Sequence, residues 1–203
     1  MNDAAARRFP RFVGAGSAAT EIRLMTAGDA HAVLAFAREL PTHDLLFLPR
    51  DITHPKVLEA WVHELERGTL TSVLALRADA VVGCATVVRD PLSWSPHVAE
   101  LRVVVASHAR GSGVGRTLME DAFALARSLG AEKIVAQMTV DQTGAIATFE
   151  SMGFRAEALL RDHVRDHAGI KHDIVVLGHD VAAVEARSAA YGLGAALDAS
   201  ERT

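Results

Sequence analysis

Three glycines at alternate positions, Gly111, Gly113 and Gly115, stand between two arginines in the run Arg110-Gly111-Ser112-Gly113-Val114-Gly115-Arg116. Glycine permits positive φ and lets a ligand come close to bare backbone amides, while guanidinium groups add positive charge. Such a loop offers recognition of an anion, and above all of a phosphate. Spacing excludes two common phosphate loops. A Walker A loop needs a Lys-Ser/Thr pair after its last glycine, and none follows here. The dinucleotide fingerprint G-x-G-x-x-G, counted from Gly111, meets Arg116 at its sixth position. What remains is an R-x-x-G-x-G loop.

The flanking residues show what positions it. Leu101, Val103 and Val105 alternate with Glu100, Arg102 and Val104, a strand pattern that breaks at Ser107. From Val114 the chain turns amphipathic, with Leu118, Ala122, Leu125 and Leu129 on one helical face and Gly130 at the C′ stop. Strand, glycine loop and helix N-terminus in succession aim free amides and the positive end of a helix dipole at one point.

Upstream, Glu21 to Met25 reads as a short strand, and Thr26 to Asp29 as a capping box for a helix carrying Ala30, Val33, Leu34, Ala37 and Leu40. After an irregular segment, His43 to Thr53, Pro55 opens a second helix with Leu58, Trp61, Val62 and Leu65 inward and Gly68 as its stop. Thr71 to Arg77 and Val81 to Arg89 form a hairpin about Ala78-Asp79. Downstream come a strand at Lys133 to Val140, a short helix capped by Asp141 and ending at Gly153, and two strands around the polar turn Arg165 to Gly169. The order β-α-α-β-β-β-α-β-α-β-β implies an α+β domain, one mostly antiparallel sheet with helices on its faces. It is expected to occupy residues 20–180, after a frayed tail at 1–19 and before an Ala-rich helix or tail at 181–203 that could serve a homodimer.

Composition bounds the function. The chain has 203 residues, half of them hydrophobic, so it can bury a sizeable core. A net charge of −4 gives no footprint for nucleic acid. No apolar run reaches the roughly 20 residues that span a bilayer. The single cysteine, Cys84, has no disulfide partner within the chain, which fits a cytoplasmic location.

The R-x-x-G-x-G loop between strand and helix, with the element order, resembles the GNAT superfamily of acyl-CoA-dependent N-acetyltransferases over about Glu21 to Gly178. A second match lies at Asp141 to Phe154, where the family pattern is N-x-x-A-x-x-x-Y-x-x-x-G-F. Ala145, Gly153 and Phe154 conform, while Gln142 replaces Asn and Phe149 replaces Tyr. The resemblance implies a three-layer fold and acetyl-CoA as donor. It places the pyrophosphate on the amides of Gly111, Ser112, Gly113, Val114, Gly115 and Arg116, with charge from Arg110 and Arg116. It also implies that the pantetheine arm pairs with the main chain of Val103, Val104 and Val105, with Gln142 and Phe149 alongside.

Glu100 stands where many members of the family carry a general base, a group needed because an amine at neutral pH is mostly protonated. The plainer reading is a carboxylate paired with Arg102. The family's tyrosine acid is missing at Phe149, and the one tyrosine is Tyr191. A thiol of pKa near 8.5 leaves as thiolate at pH 7 for about 2 kcal/mol, so transfer without a side-chain acid is expected. Phe149 would then pack against the pantetheine. The acceptor site is implied across the sheet, between His43 to Thr53, with Asp44 and Asp51, and the Arg165 to Gly169 turn.

No metal is expected: His163, His167 and His172 lack ligand spacing. Cys84 is read as a buried strand residue, and Trp61 and Trp94 as packing. The expected function is acetyl transfer to a primary amine of a small molecule. The alternatives are an acyl-CoA-binding module without turnover and a protein lysine or N-terminal acetyltransferase.

Overall fold

A computed structural model describes residues 8–14, 16 and 19–182. Its strands are β1 (Arg11–Val13), β2 (Thr20–Leu24), β3 (Leu70–Arg77), β4 (Ala80–Val88), β5 (Val98–Val105), β6 (Lys133–Thr139), β7 (Arg155–Arg165) and β8 (Lys171–Asp180). They form one eight-stranded sheet in the order β1-β2-β3-β4-β5-β6-β8-β7. Every neighbouring pair is antiparallel except β5 and β6. The α-helices are α1 (Ala30–Glu39), α2 (Pro55–Arg67), α3 (Val114–Ser128) and α4 (Thr143–Ser151).

The sheet lies between helices because its central strands are apolar on both faces. In β4 successive residues face opposite ways. Gly83 faces α3, where a Cβ would meet Leu118 at 2.8 Å and Val114 at 3.4 Å. Cys84 faces the other way, lining a cavity with Val57 and Trp61 of α2. Gly83 is therefore the thin point at which α3 closes on the sheet. The mixed α+β sandwich read from the sequence is the fold observed.

Local signals act as their chemistry dictates. Ala78 and Asp79 both take positive φ, +47° and +62°, the geometry of a two-residue hairpin turn. Gly68 ends α2 in the left-handed conformation at φ 72°. The Asp29 carboxylate accepts from the Thr26 N–H and hydroxyl, each at 2.8 Å, and also takes the Arg23 fork at 2.6 and 2.8 Å. The Arg23 hydrogen bonds, with those of Thr26, hold this carboxyl well below the usual carboxylate range.

Two expectations need correction. The stretch read as a frayed tail contributes β1, which pairs with β2. It is held by a long-range contact that no local pattern reveals: Arg11 Nη2 donates at 2.6 Å to Asp121 of α3, whose side chain is 2% exposed. Burial pushes the Asp121 carboxyl up, opposed by the hydrogen bond from Arg11. Asp141 does not cap α4. Gln142 takes the cap position without a side-chain bond, and Asp141 pairs instead with His43. The Ala-rich stretch from residue 183 onward, with Tyr191 and the suggested dimer contact, lies outside the described residues.

Candidate active site

The two parallel strands at the centre of the sheet part company halfway along. β5 and β6 pair from Val98–Lys133 to Leu101–Ala136 and no further. Beyond that point β5 pairs only with β4, as far as Val105, and β6 only with β8, as far as Thr139. One edge of the main chain from Arg102 to Val105 is thus left without a strand partner among the described residues. A cleft whose wall is a strand edge without a partner strand accepts an extended amide-bearing chain as it would a strand.

The glycine loop lies at the end of β5. A short 3-10 turn, Ser107–Ala109, leads into it, and α3 starts at Val114. Gly111 and Gly113 have φ of +71° and +85°, where a side chain is strained, yet nothing lies within 4 Å of a Cβ built on either. Backbone conformation requires these two glycines, and the space before them is open. Gly115 serves differently: its missing Cβ would sit 3.4 Å from Val105 Cγ2, so it lets α3 close on β5. The Thr117 N–H bonds the Gly113 carbonyl at 3.0 Å, which leaves the amides of Val114, Gly115 and Arg116 as the unpaired first turn of α3.

The cations at this end are distributed differently from the sequence reading. Arg110 turns away from the glycines, pairing with Asp44 and donating to the Val105 carbonyl at 3.3 Å. Arg116 is exposed and pairs with Glu120 one turn on, at 3.2 Å. Arg77, at the end of β3, donates to Ser112 Oγ at 2.8 Å and brings a guanidinium to the loop. Sequence reasoning missed it, since Arg77 reaches Ser112 only through sheet order, and no spacing connects them.

On the opposite face, Glu100, Arg102 and Val104 point the same way from β5. Arg102 donates from Nε and Nη2 to the two Glu100 oxygens, both at 2.9 Å, and each side chain is about one-fifth exposed. Glu100 is therefore held in a bidentate ion pair. Arg102 and Val104 also line a cavity of about 270 Å³ between the sheet, α2 and the segment around Leu48 to Ile52. Its floor holds a hydrogen-bonded chain. Trp61 Nε1 donates to Ser72 Oγ at 3.0 Å, Ser72 shares a hydrogen bond with Thr86 at 3.0 Å, and Thr86 Oγ1 lies 3.8 Å from Cys84 Sγ. Burial pushes the Cys84 thiol up to about 12, so at neutral pH it is not a nucleophile. Trp94, by contrast, is fully exposed and packs on nothing.

The segment expected to border the acceptor straps the open end of the cleft. Asp44 reaches Arg110 beyond β5, while His43 Nε2 lies 2.8 Å from Asp141 and 3.3 Å from Thr139 Oγ1 at the end of β6. His43 also stacks edge-on against His172, with ring centroids 5.1 Å apart, and His172 bonds Asp166 at 3.0 Å. Asp51 is engaged locally, accepting from the Thr53 N–H and hydroxyl at 2.9 and 2.7 Å, bonds that depress its carboxyl. Both carboxylates suggested for attracting an amine are thus already partnered. Among the described residues, no group of three or more His, Cys, Asp or Glu side chains is arranged to hold a metal ion.

Phe149 departs from its expected setting. It is 5% exposed, and its ring meets Phe154 edge-on at 5.0 Å, within a cluster that includes Phe123 and His179. Its surface is spent on the core, which follows from a phenyl ring having no polar tip to bring to a cleft. Gly153, at φ +94°, lets the chain turn into this cluster, with His179 only 3.2 Å from where a Cβ would be. Gln142 is half-buried at the head of α4.

Other proteins share this frame. The chain superposes on an acetyltransferase of the GNAT family from Streptococcus pneumoniae with a TM-score of 0.68 at 18% identity, covering 79% of this chain and 98% of that one. The yncA protein of Salmonella typhimurium, solved with its cofactor acetyl-CoA, gives 0.68 at 18% identity, covering 80% and 94%. A ribosomal-protein-alanine N-acetyltransferase from Brucella melitensis gives 0.67 at 27% identity, covering 78% and 98%. No curated protein matches the chain. The model of the acetyltransferase (GNAT) family matches residues 34–154, more than half the chain, with both the parted strands and the glycine loop inside the match. On that match this chain belongs to the GNAT acetyltransferase family.

Proposed function

We propose that the protein transfers the acetyl group of acetyl-CoA directly to the primary amine of a small molecule. The observation that carries this reading is the parting of β5 from β6 beside the open glycine loop, a cleft matched to a long ligand with an anionic end. Acetyl-CoA supplies the thioester whose carbonyl carbon is attacked. The amides of Gly111 to Arg116, helped by Arg77, hold the pyrophosphate at the N-terminus of α3. The free edge of Val103, Val104 and Val105 pairs with the pantetheine, and one N–H there stabilises the oxyanion.

Glu100 takes one proton from the acceptor's ammonium group. The nitrogen lone pair attacks, the C–N bond forms, the C–S bond breaks to release the thiolate, and the second proton passes from nitrogen to water. No side-chain acid is required, since thiolate departure at pH 7 costs about 2 kcal/mol. The Arg102 fork must release Glu100 before that carboxylate can act. The cavity beside Arg102 is smaller than the usual 300–1,000 Å³ of ligand pockets, which favours a small acceptor over a polypeptide.

Two observations favour a second reading, a module that binds acyl-CoA without turnover: the candidate base is locked in an ion pair, and Phe149 is buried without a hydroxyl. A thiol-release assay over a library of free amines and lysine peptides separates the two. Release with a free amine supports transfer. Thermal stabilisation by acetyl-CoA with no release from any acceptor establishes the binding module instead.

A further inference from the structure

The most informative feature outside the donor cleft is the cavity on the Glu100 face. We propose that it binds a zwitterion, a small amino acid with an apolar side chain, whose two charges separate the Glu100–Arg102 ion pair. This rests on the acyl-transfer reading above and adds the acceptor's chemical class.

Three observations carry it. The walls are apolar over Leu48, Ile52, Val57, Trp61, Leu70 and Val88, which suits an aliphatic or thioether side chain. The charged residues lining the cavity are Arg102, Arg50 and Glu64, two guanidiniums to one carboxylate, and Arg50 itself lies 3.7 Å from Glu64. A polyamine entering there finds both nearby carboxylates already taken by guanidiniums, Glu100 by Arg102 and Glu64 by Arg50. A carboxylate meets a planar fork that binds it bidentately.

The third observation is the ion pair. Glu100 and Arg102 sit two residues apart on one face of β5 and hold each other through two bonds of 2.9 Å. Insertion of an α-amino acid turns one pair into two. Its carboxylate takes the Arg102 fork, its ammonium takes the Glu100 carboxylate, and no charge is left without a partner. The same exchange frees Glu100 from arginine and puts it on the proton it must remove. An amine lacking a carboxylate can reach Glu100 only by stranding a largely buried guanidinium, and that asymmetry is the source of selectivity. On the floor the hydroxyls of Ser72 and Thr86 bond each other, and Ser72 also accepts from Trp61, so neither offers the ammonium a charged partner.

The test pairs leucine with isopentylamine, and methionine with 3-methylthiopropylamine, at saturating acetyl-CoA. Wild-type protein should favour the amino acid over its decarboxylated partner by at least about tenfold in kcat/KM, since a site built to hold a polar group rejects the analogue lacking it. Arg102→Gln should bring that ratio close to one, and Arg102→Lys should keep part of it. Thermal stabilisation by acetyl-CoA shows that each variant is folded. A change in the ratio between two substrates is a readout that general loss of structure does not produce.

Calorimetry with CoA present measures the same preference without turnover. Equal or better use of the decarboxylated amine, a ratio untouched in Arg102→Gln, or no leucine binding in the calorimeter overturns the inference. Thiol release with isopentylamine but not leucine removes the zwitterion alone. Failure of every amine beside intact acetyl-CoA binding removes the transfer reading, and calorimetry then still decides what the cavity binds.

Discussion

Glu100 and Arg102 neutralise each other in the free protein, so the residue proposed to move a proton is itself held by two hydrogen bonds. If Glu100 is the base, Glu100→Gln should lower kcat by about 10²- to 10⁴-fold, the usual share of a positioned general base, with acetyl-CoA affinity retained. Steady-state kinetics beside a calorimetric titration checks both halves. Cys84 should be silent: with its thiol pushed up to about 12, it should resist alkylation at pH 8 until the chain unfolds, which mass spectrometry reads directly. Asp29 makes a pH-dependent contribution. Its depressed carboxyl adds stability that is fully present above the ordinary carboxylate pKa and lost as pH falls below it. Asp29→Asn should cost about 1 kcal/mol at pH 7, the scale of a helix cap, and the deficit should shrink in acid denaturation curves.

At the level of elements, the strand, glycine loop and helix around Gly113 were legible in the sequence because each signal is local. Alternation marks β5, the three glycines mark the turn, and the Leu118 to Leu125 stripe marks α3. The positions of the charged partners were not legible. Arg77 reaches Ser112 through sheet order, Arg110 is drawn to Asp44, and Asp141 is taken by His43 from nearly a hundred residues away. The same limit hid the setting of Phe149, since its neighbours Phe123 and His179 come from α3 and β8. The loop itself yields a sharp prediction. Gly113→Ala should destabilise the fold by about 1–2 kcal/mol through its left-handed φ. It should weaken acetyl-CoA binding as well, because its methyl group projects into the open space proposed for the pyrophosphate.

For the whole molecule, β1 shows how a three-residue strand can belong to a domain without a pattern of its own. Arg11 reaches across to a carboxylate that α3 buries, so Arg11→Ala should cost about 1.5–2 kcal/mol near neutral pH by removing the hydrogen bond to the Asp121 charge, with only Arg8 among the described residues left to attract it. Burial raises the Asp121 carboxyl, so the penalty should ease as acid protonates it, which urea titrations at two pH values would show. Among the described residues no helix is long and apolar enough to cross a membrane. The cleft proposed for the donor lies along the parted strands, and the cavity proposed for the acceptor lies beside Arg102 on the other face of β5. The most direct test of that division is mass spectrometry of protein and small molecules after mixing with acetyl-CoA, first alone and then with an accepted amine. Direct transfer predicts an unmodified protein in the first case, and N-acetylated amine matching the released thiol in the second. An acetylated protein formed before the amine is added would contradict it.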